Sequence, residues 1–531
     1  MGNLFCAKNT KCNLKKILFS LVITLSFNHV IAQSIQWQKS LGGTGQDEAN
    51  SIQQTADGGF VIAGVTYSND GDVTDNHGSS DIWVVKLDNM GNIQWQKSLG
   101  GGGDDWGTSI QQTCDGGYIV GGYSNSNDGD VIADVEYNGI DYWIVKLDMN
   151  GTLQWQKKFG GTGYDAVTSI RQTSDSSYII AGVSFSNDAD IIDNHGSGDF
   201  WIIRLNYNGS LQWKKSFGGT QVDNATSIIQ TADDGFVISG YSNSKDGDVT
   251  GNHGEYDYWI IKLDNLGSLQ WQKSIGGSGN DFAYFIQETK DRCFIVAGGS
   301  FSNDGDVSWN QGYGDFWIVK LDTIGNILWQ KSVGGSYIEV AKSIHQTLDG
   351  GYIVAGECNS NDGDITGFHG WSDGWVVKLD ELGNLQWQKS LGGTKSDWIF
   401  SIKQTVDGDY ILSGATNSTD GDVTNFHGGW DDCWIIRLDD KQTGTANIIS
   451  QQNISIYPNP VSSKLTVDLS GSGFSSNETI ISLLNMNGEK VLEKTTENFI
   501  NILNVEEIPK GMYFIKIESK AKYLIEKLVV K

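Results

Sequence analysis

Proline is almost missing from this chain of 531 residues. There are three, Pro458, Pro460 and Pro509, and all lie beyond residue 450. The first 450 residues thus hold no residue that fixes φ or removes a backbone donor, which excludes polyproline, collagen-like and proline-rich linker architectures there. Cysteine is scarce, six in all. Cys6 and Cys12 fall in the N-terminal segment. Cys114, Cys293, Cys358 and Cys433 occupy four different positions of the repeat described below, which excludes a disulfide framework. A Cys358–Cys433 link between neighbouring repeats is the one pairing left to test. Positive charge is short: 37 Lys and Arg stand against 64 Asp and Glu, a net charge of −27. Such a chain is repelled by nucleic-acid phosphates and by anionic membranes. Long hydrophobic runs are scarce too. Residues 17–27 form one, preceded by Lys8, Lys11, Lys15 and Lys16 and followed by Val30-Ile31-Ala32. It is too short to span a bilayer and has the layout of a secretory signal, expected to cover residues 1–32. No later run is long enough for a transmembrane segment.

Glycine (68) and tryptophan (19) are abundant. Many tight turns and large aromatics, without helix formers in amphipathic spacing, predict an all-β chain. The tryptophans are periodic. Trp37, Trp95, Trp155, Trp213, Trp271, Trp329 and Trp387 each open a near-copy of W-Q-K-S-x-G-G, at steps of 58, 60, 58, 58, 58 and 58. A second series, Trp83, Trp143, Trp201, Trp259, Trp317, Trp375 and Trp434, sits in D-x-W-(I/V)-(I/V)-(K/R)-L. Within one repeat, residues 51–55, 60–65, 81–87 and 93–98 read as four short strands bounded by Gly, Asn and Asp. Four strands per repeat of this length match a propeller blade, and seven repeats predict a seven-bladed β-propeller over residues 33–440. The ends of the array favour a ring over an open solenoid. Residues 35–40 are a fourth-type strand with no blade of their own, and the last repeat lacks one. Placing the first strand on the last blade hides both sheet edges. Tryptophans recurring in every blade are expected to pack between sheets.

These repeats resemble the bacterial seven-bladed β-propeller repeat family. The resemblance rests on W-Q-K-S-L-G-G at 95–101, Asp47, and D-G-G-(F/Y)-(V/I)-(I/V)-(A/G)-G at 57–64 and 115–122. It implies the fold and no single activity. Repetition stops at Asp440, residues 441–452 read as a linker, and residues 453–531 read as a small Ig-like β-sandwich of alternating strands. This tail resembles the type IX secretion C-terminal sorting domain (type A), through Tyr457-Pro458-Asn459-Pro460, L-N-M-N-G-E-K-V at 484–491, P-K-G-M-Y at 509–513 with Gly511, and the final K-L-V-V-K from Lys527 to Lys531. The resemblance implies export by the type IX machinery, to the surface or the medium.

If the closing strand is outermost, residues 51–55 line the centre. The long connections, residues 67–80 and 41–50 and their copies, then share one face, where function is expected. Two acidic series lie there. Asp47, Asp105, Asp165, Asp223, Asp281, Glu339 and Asp397 precede the inner strands and are expected to cap turns around the central opening. The N/S/K-D-G-D pairs Asp70/Asp72, Asp128/Asp130, Asp246/Asp248, Asp304/Asp306, Asp362/Asp364 and Asp420/Asp422 offer oxygen ligands to Ca²⁺, although the distal Glu of a calcium loop is missing and Asx-type turns explain them equally. The more telling positions are those where the copies differ. Trp106, Trp309, Trp371, Trp398 and Trp430 add aromatics to this face and suit stacking on sugar rings or anchoring a protein partner. No Ser/His/Asp arrangement, phosphate loop or Cys/His metal spacing is present, and no catalytic residue is assigned. The first reading is a secreted or surface-bound monomeric binding or scaffold module for a glycan or protein. The second is a surface glycan-degrading enzyme using paired carboxylates.

Overall fold

The computed structural model describes residues 33–132, 139–440, 455–469, 479–485, 490–496, 498–519 and 522–531. The expected signal (1–32) and linker (441–452) lie outside the described residues. Described secondary structure is all strand. The described residues of 33–440 form repeated blades, seven antiparallel four-stranded sheets. The first runs Asp47–Gln54, Phe60–Thr66, Asp81–Leu87, Ile93–Leu99. The seventh runs Asp397–Gln404, Tyr410–Thr416, Asp432–Leu438 and takes its fourth strand from the other end of the array, Ile35–Leu41. Ser40 there lies opposite Trp434 and Leu41 opposite Cys433.

Local sequence explains each strand boundary. After the third strand, Asp88 accepts the backbone N–H groups of Met90 and Asn92 at 2.8 Å, and Gly91 takes the left-handed conformation the turn requires. Between the first and second strands, Asp57 accepts the Gly59 N–H at 3.1 Å and forms an ion pair with Lys86 at 3.0 Å. The K/R of the D-x-W motif makes this pair in every blade, as Lys146–Asp115, Arg204–Asp175, Lys262–Asp233, Lys320–Asp291, Lys378–Asp349 and Arg437–Asp407. Near Lys86 and Lys262 the carboxyls of Asp57 and Asp233 fall to about 2 despite partial burial, through hydrogen bonds from Thr55 and Thr231 and from the lysines.

The core lies between successive sheets. Val61, Ala63, Ile82 and Val84 of the first sheet pack with Tyr118, Val120 and Trp143 of the second. The second tryptophan series is fully buried, from Trp83 to Trp434. Where an aromatic precedes it, that ring meets the next sheet's tryptophan, with Tyr142–Trp201, Phe200–Trp259, Tyr258–Trp317 and Phe316–Trp375 centroids 4.5–4.7 Å apart. The first tryptophan series is only half-buried. These rings cover the glycine turn of the next blade, so that a Cβ on Gly91 would lie 2.8 Å from Trp37 and one on Gly151 would lie 2.9 Å from Trp95.

Two hydrogen bonds join every sheet to the next. The amide that opens each first strand donates to a carbonyl just before or at the end of the preceding blade's long loop: Asp105 to Ser80, Asp165 to Ile140, Asp223 to Gly198, Asp281 to Tyr256, Glu339 to Gly314 and Asp397 to Ser372, at 2.6–2.9 Å. The amide following each inner strand donates to a Gln or Glu on the next blade. These are Ala56–Gln112, Cys114–Gln172, Ser174–Gln230, Ala232–Glu288, Lys290–Gln346 and Leu348–Gln404, at 2.7–3.2 Å. Both bonds recur from the seventh sheet to the first, as Asp47 N–H to Asp431 O (2.7 Å) and Val406 N–H to Gln54 Oε1 (2.9 Å).

The tail forms two sheets, one with strands Ser455–Tyr457, Lys464–Asp468 and Ile500–Asn504, the other with Lys490–Thr495, Ile480–Leu484, Gly511–Ser519 and Lys522–Val530. Leu465, Val467 and Leu503 of the first share a core with Ile481, Ile515 and Leu528 of the second. The four cysteines of the described residues are free, and Cys358 and Cys433 are each buried without a bond to the other. No helix of the described residues is long and apolar enough to cross a membrane.

Removing residues 33–41 strips the fourth strand from the seventh sheet and bares the Asp432–Leu438 edge. The expected outcome is a lower melting temperature and concentration-dependent association, read by calorimetry and size-exclusion chromatography. A monomer with the wild-type melting temperature would contradict the pairing.

Candidate functional site

The face carrying the long connections is held by carboxylates. Each blade has a loop like residues 67–80 and receives a turn like residues 42–46 from the blade before. Asp70, Asp128, Asp246, Asp304, Asp362 and Asp420 accept the N–H of Thr44, Gly102, Thr220, Ser278, Ser336 and Thr394 at 2.6–2.8 Å. Asp72, Asp248, Asp306, Asp364 and Asp422 accept glycine N–H groups of the same turns at 3.2–3.4 Å. Asp130 donates its own N–H to Gly100 O at 2.8 Å. The N/S/K-D-G-D pairs thus fasten loop to turn. Among the described residues no three His, Cys, Asp or Glu side chains converge as a metal ion would need.

Beneath the loops lies a second, buried set. Asp47 accepts the Gly43 N–H at 2.8 Å and the Ser68 hydroxyl at 2.6 Å, and its copies repeat the arrangement. A further carboxylate opens each third strand: Asp81, Asp199, Asp257, Asp373 and Asp432 each take a histidine Nδ1 at 2.6–2.9 Å, from His77, His195, His253, His369 and His427. In the fifth blade Gln311 stands in this histidine's place, donating its N–H to Asp315 and its side-chain amide to Asp364, both at 2.8 Å. In the second blade Lys158 meets Asp141 at 3.1 Å. The two buried carboxylates flank one glycine. A Cβ on Gly100 would lie 2.5 Å from Asp81 and 2.6 Å from Asp105, so no other residue fits.

Burial pushes these carboxyls up. Asp141, Asp223, Asp257, Asp373 and Asp432 rise to about 6, and Asp315, with Glu339 and Asp364 adding repulsion, to about 7. Their side chains are enclosed, and Asp223, Asp257, Asp315, Asp373 and Asp432 already accept backbone N–H groups, while Asp141 is held by Lys158.

The five singled-out tryptophans divide. Trp309, Trp371 and Trp430 stand on the long loops of the fifth, sixth and seventh blades and are 60%, 80% and 74% exposed. Trp309 borders a cleft of about 300 Å³ with Gln311, Gln330, Lys331 and Asp364. Trp106 and Trp398 are not free platforms. Both are half-buried, and Trp106 stacks on Tyr123 at 5.9 Å and meets Tyr67 edge-on at 6.3 Å. From there the aromatic row continues through Tyr164 to Phe185. Nothing in the Trp106 repeat position announces Tyr123, whose contact depends on the pairing of two strands. On the inner strands His345 stands out in sequence as a replaced strand residue, but Arg171, Tyr284, Lys342, Phe400 and Lys403 also break columns that elsewhere hold Thr, Asn, Gln and one Ile, Ile229. The departure from the column was the available signal.

In the tail, the two ends of the motif set meet. Asn459 accepts the Val529 N–H at 3.0 Å, Lys531 donates its N–H to Val461 O at 2.8 Å, and Tyr513 donates its hydroxyl to Pro509 O at 2.7 Å. Gly511 opens the strand beside them, and Tyr457, Pro458 and Pro460 are exposed. Lys527 lies in the paired last strand.

Residues 455–531 match the secretion system C-terminal sorting domain. The chain accordingly carries a type IX sorting tail and is exported to the cell surface or the extracellular space. The chain is similar to Regulatory protein FlaEY of Caulobacter vibrioides, 23% identical over 208 residues, covering 36% of this chain and 22% of that protein. It thus spans about a fifth of the length of that curated relative. Among solved structures it is similar to BamB from Moraxella catarrhalis (14% identity, 77% of this chain, 99% of that one, TM-score 0.36). It is also similar to the Pan2 WD40 domain of Neurospora crassa (11%, 76%, 96%, TM-score 0.41).

The buried carboxyls bind protons more tightly folded than unfolded, so their contribution to stability is full near pH 4 and is lost as pH rises to about 7. The Lys-paired Asp57 and Asp233 act oppositely, losing their contribution as pH falls from about 4 toward 2. The melting temperature is expected to be higher at pH 5 than at pH 8. Asp315→Asn is expected to raise it at pH 8 and to raise it much less at pH 5. Scanning calorimetry at the two pH values checks both.

Proposed function

We propose that the chain is a seven-bladed β-propeller, closed by the strand Ile35–Leu41 and followed by a small Ig-like β-sandwich. It serves at the cell surface or in the medium as a non-catalytic binding module for glycans. Residues 1–32 act as the export signal and residues 453–531 engage the type IX machinery. Recurrence of both junction bonds at all seven sheet pairs, the last-to-first pair included, supports the closed ring.

The observation that carries the glycan reading is the exposure of Trp309, Trp371 and Trp430 on three successive blades. The blade repeat explains none of them, because its own tryptophans fill other positions. An apolar ring face bordered by amide and charged groups, as at Trp309 with Gln311, Gln330, Lys331 and Asp364, suits the CH face and hydroxyls of a sugar. The enzyme reading lacks comparable support, since the strongest carboxylate pairs are enclosed in turns.

Trp309→Ala, Trp371→Ala and Trp430→Ala are each expected to weaken glycan binding about 2- to 12-fold, corresponding to about 0.5–1.5 kcal/mol per aromatic contact, with the melting temperature unchanged. Calorimetry on oligosaccharides selected from a glycan array measures this, and product analysis accompanies it. Equal binding by the three variants would remove the aromatic site. New reducing ends would establish the enzyme, and binding of a protein with no glycan would replace the ligand class. Deleting residues 453–531 is expected to hold the protein in the periplasm, checked by fractionation.

A further inference from the structure

The first strands of the seven sheets enclose a cavity of about 130 Å³ to which every sheet contributes. In blades one to four the side chains facing it complete the neighbouring sheets. Asn50 donates to Gly107 O at 2.9 Å, and Thr108, Thr168 and Thr226 donate to Val167, Ala225 and Ala283 O at 2.8–2.9 Å. In blades five to seven that position holds Tyr284, Lys342 and Phe400, which lack the short hydroxyl or amide. Three residues further along, Gln53, Gln111 and Gln287 accept an N–H of the next blade at 2.7 Å. The same column carries Arg171, His345 and Lys403 in blades three, six and seven.

A chain with a net charge of −27 thus places Arg171, Lys342 and Lys403 on one cavity, and no carboxylate lines it. Lys342 is compensated, 4.1 Å from the Tyr284 ring centroid and 3.8 Å from Glu357. Arg171 donates to Ser109 Oγ (3.2 Å) and Ile170 O (2.7 Å), both neutral. Among the described residues Lys403 has no ion pair. Burial, and then Arg171, hold its ammonium down at about 7, and no carboxylate opposes them. Two further polar groups point the same way. Ser227 lines the cavity with its hydroxyl buried and unpartnered, and His345, edge-on to Phe285 at 4.8 Å, has a buried, unpartnered Nε2.

Cations enclosed without counter-charges are an unfavourable state, relieved by an anion that also accepts the free donors. We propose that this cavity is an anion site, taking one small oxyanion group, a carboxylate, sulfate or phosphate, between Arg171 and Lys403 with Ser227 as a third donor. It is separate from the tryptophan-lined cleft and does not rest on the glycan reading. Two sources offer such a group, a free ion or the acidic substituent of a sugar. The ionisable groups around Lys403 are Arg171 and His345, with Lys342, Tyr284 and Glu357 at the cavity's other side chains. A bound anion favours the charged ammonium, so binding above pH 7 takes up a proton.

The test is isothermal titration of the full chain with sulfate, phosphate, acetate, a sulfated disaccharide and a uronate disaccharide, at constant ionic strength against chloride. Buffers of different ionisation enthalpy report the proton. Saturable binding with proton uptake at pH 8 is expected for at least one of these. Sulfate or phosphate alone would identify a free ion, and tighter binding of the disaccharides would identify an acidic sugar. Lys403→Met and Arg171→Gln are each expected to weaken binding at least about tenfold, while leaving the melting temperature of the unliganded protein equal or higher, since each removes an uncompensated charge. Ser227→Ala, a milder change, is expected to weaken binding less. Absence of saturable binding by all five anions, or unchanged affinity in folded Lys403→Met and Arg171→Gln proteins, would overturn the proposal.

Discussion

Each sheet of this array leans on the next through the same two hydrogen bonds, one on each face. One runs from the amide opening the inner strand to a carbonyl of the previous blade, the other from the turn amide to a Gln or Glu of the next. Individually such bonds contribute about 0.5–1.5 kcal/mol. Their weight comes from recurrence, and from the groups they satisfy: turn amides with no partner inside their own sheet. Between these two rows the buried tryptophans and their aromatic neighbours fill the space that two twisted sheets leave.

This constraint explains why the sequence repeats so closely, and what repetition costs in information. A residue that recurs in most or all of the copies is committed to a junction, a turn or a core. The N/S/K-D-G-D carboxylates fasten loops to turns, the histidines orient buried carboxylates, and the D-x-W lysines reach back to the first turn. Function is left to positions the repeat releases. Those are concentrated in blades five to seven: three exposed tryptophans outside, and Tyr284, Lys342, Phe400 and Lys403 inside. Arg171 of blade three is the exception and faces them across the cavity.

Strand count, strand boundaries and the pairing of the first strand with the last sheet were legible, because spacing of Trp, Gly and Asp reports local turns and the period reports topology. The free cysteines were legible for the same reason. Exposure of an aromatic was not. Trp106 and Trp398 stand in the loop register that suggested solvent, but Trp106 packs on Tyr123 of the adjacent strand, a contact set by register and side-chain direction. The cluster of Arg171, His345 and Lys403 was hidden differently. Each reads alone as an ordinary polar residue in a short strand, and only the bringing together of residues 171, 345 and 403 makes them one basic patch in an acidic protein.

The fold depends most on equivalence of the seven junctions, with the last-to-first one no weaker than the rest. Amide hydrogen exchange by mass spectrometry reads it directly, by comparing the peptides that carry the donors Ala56, Cys114, Ser174, Ala232, Lys290, Leu348 and Val406. Matching protection is expected in all seven, with Val406 exchanging as slowly as Leu348. Rapid exchange at Val406 alone, beside six protected counterparts, would contradict it.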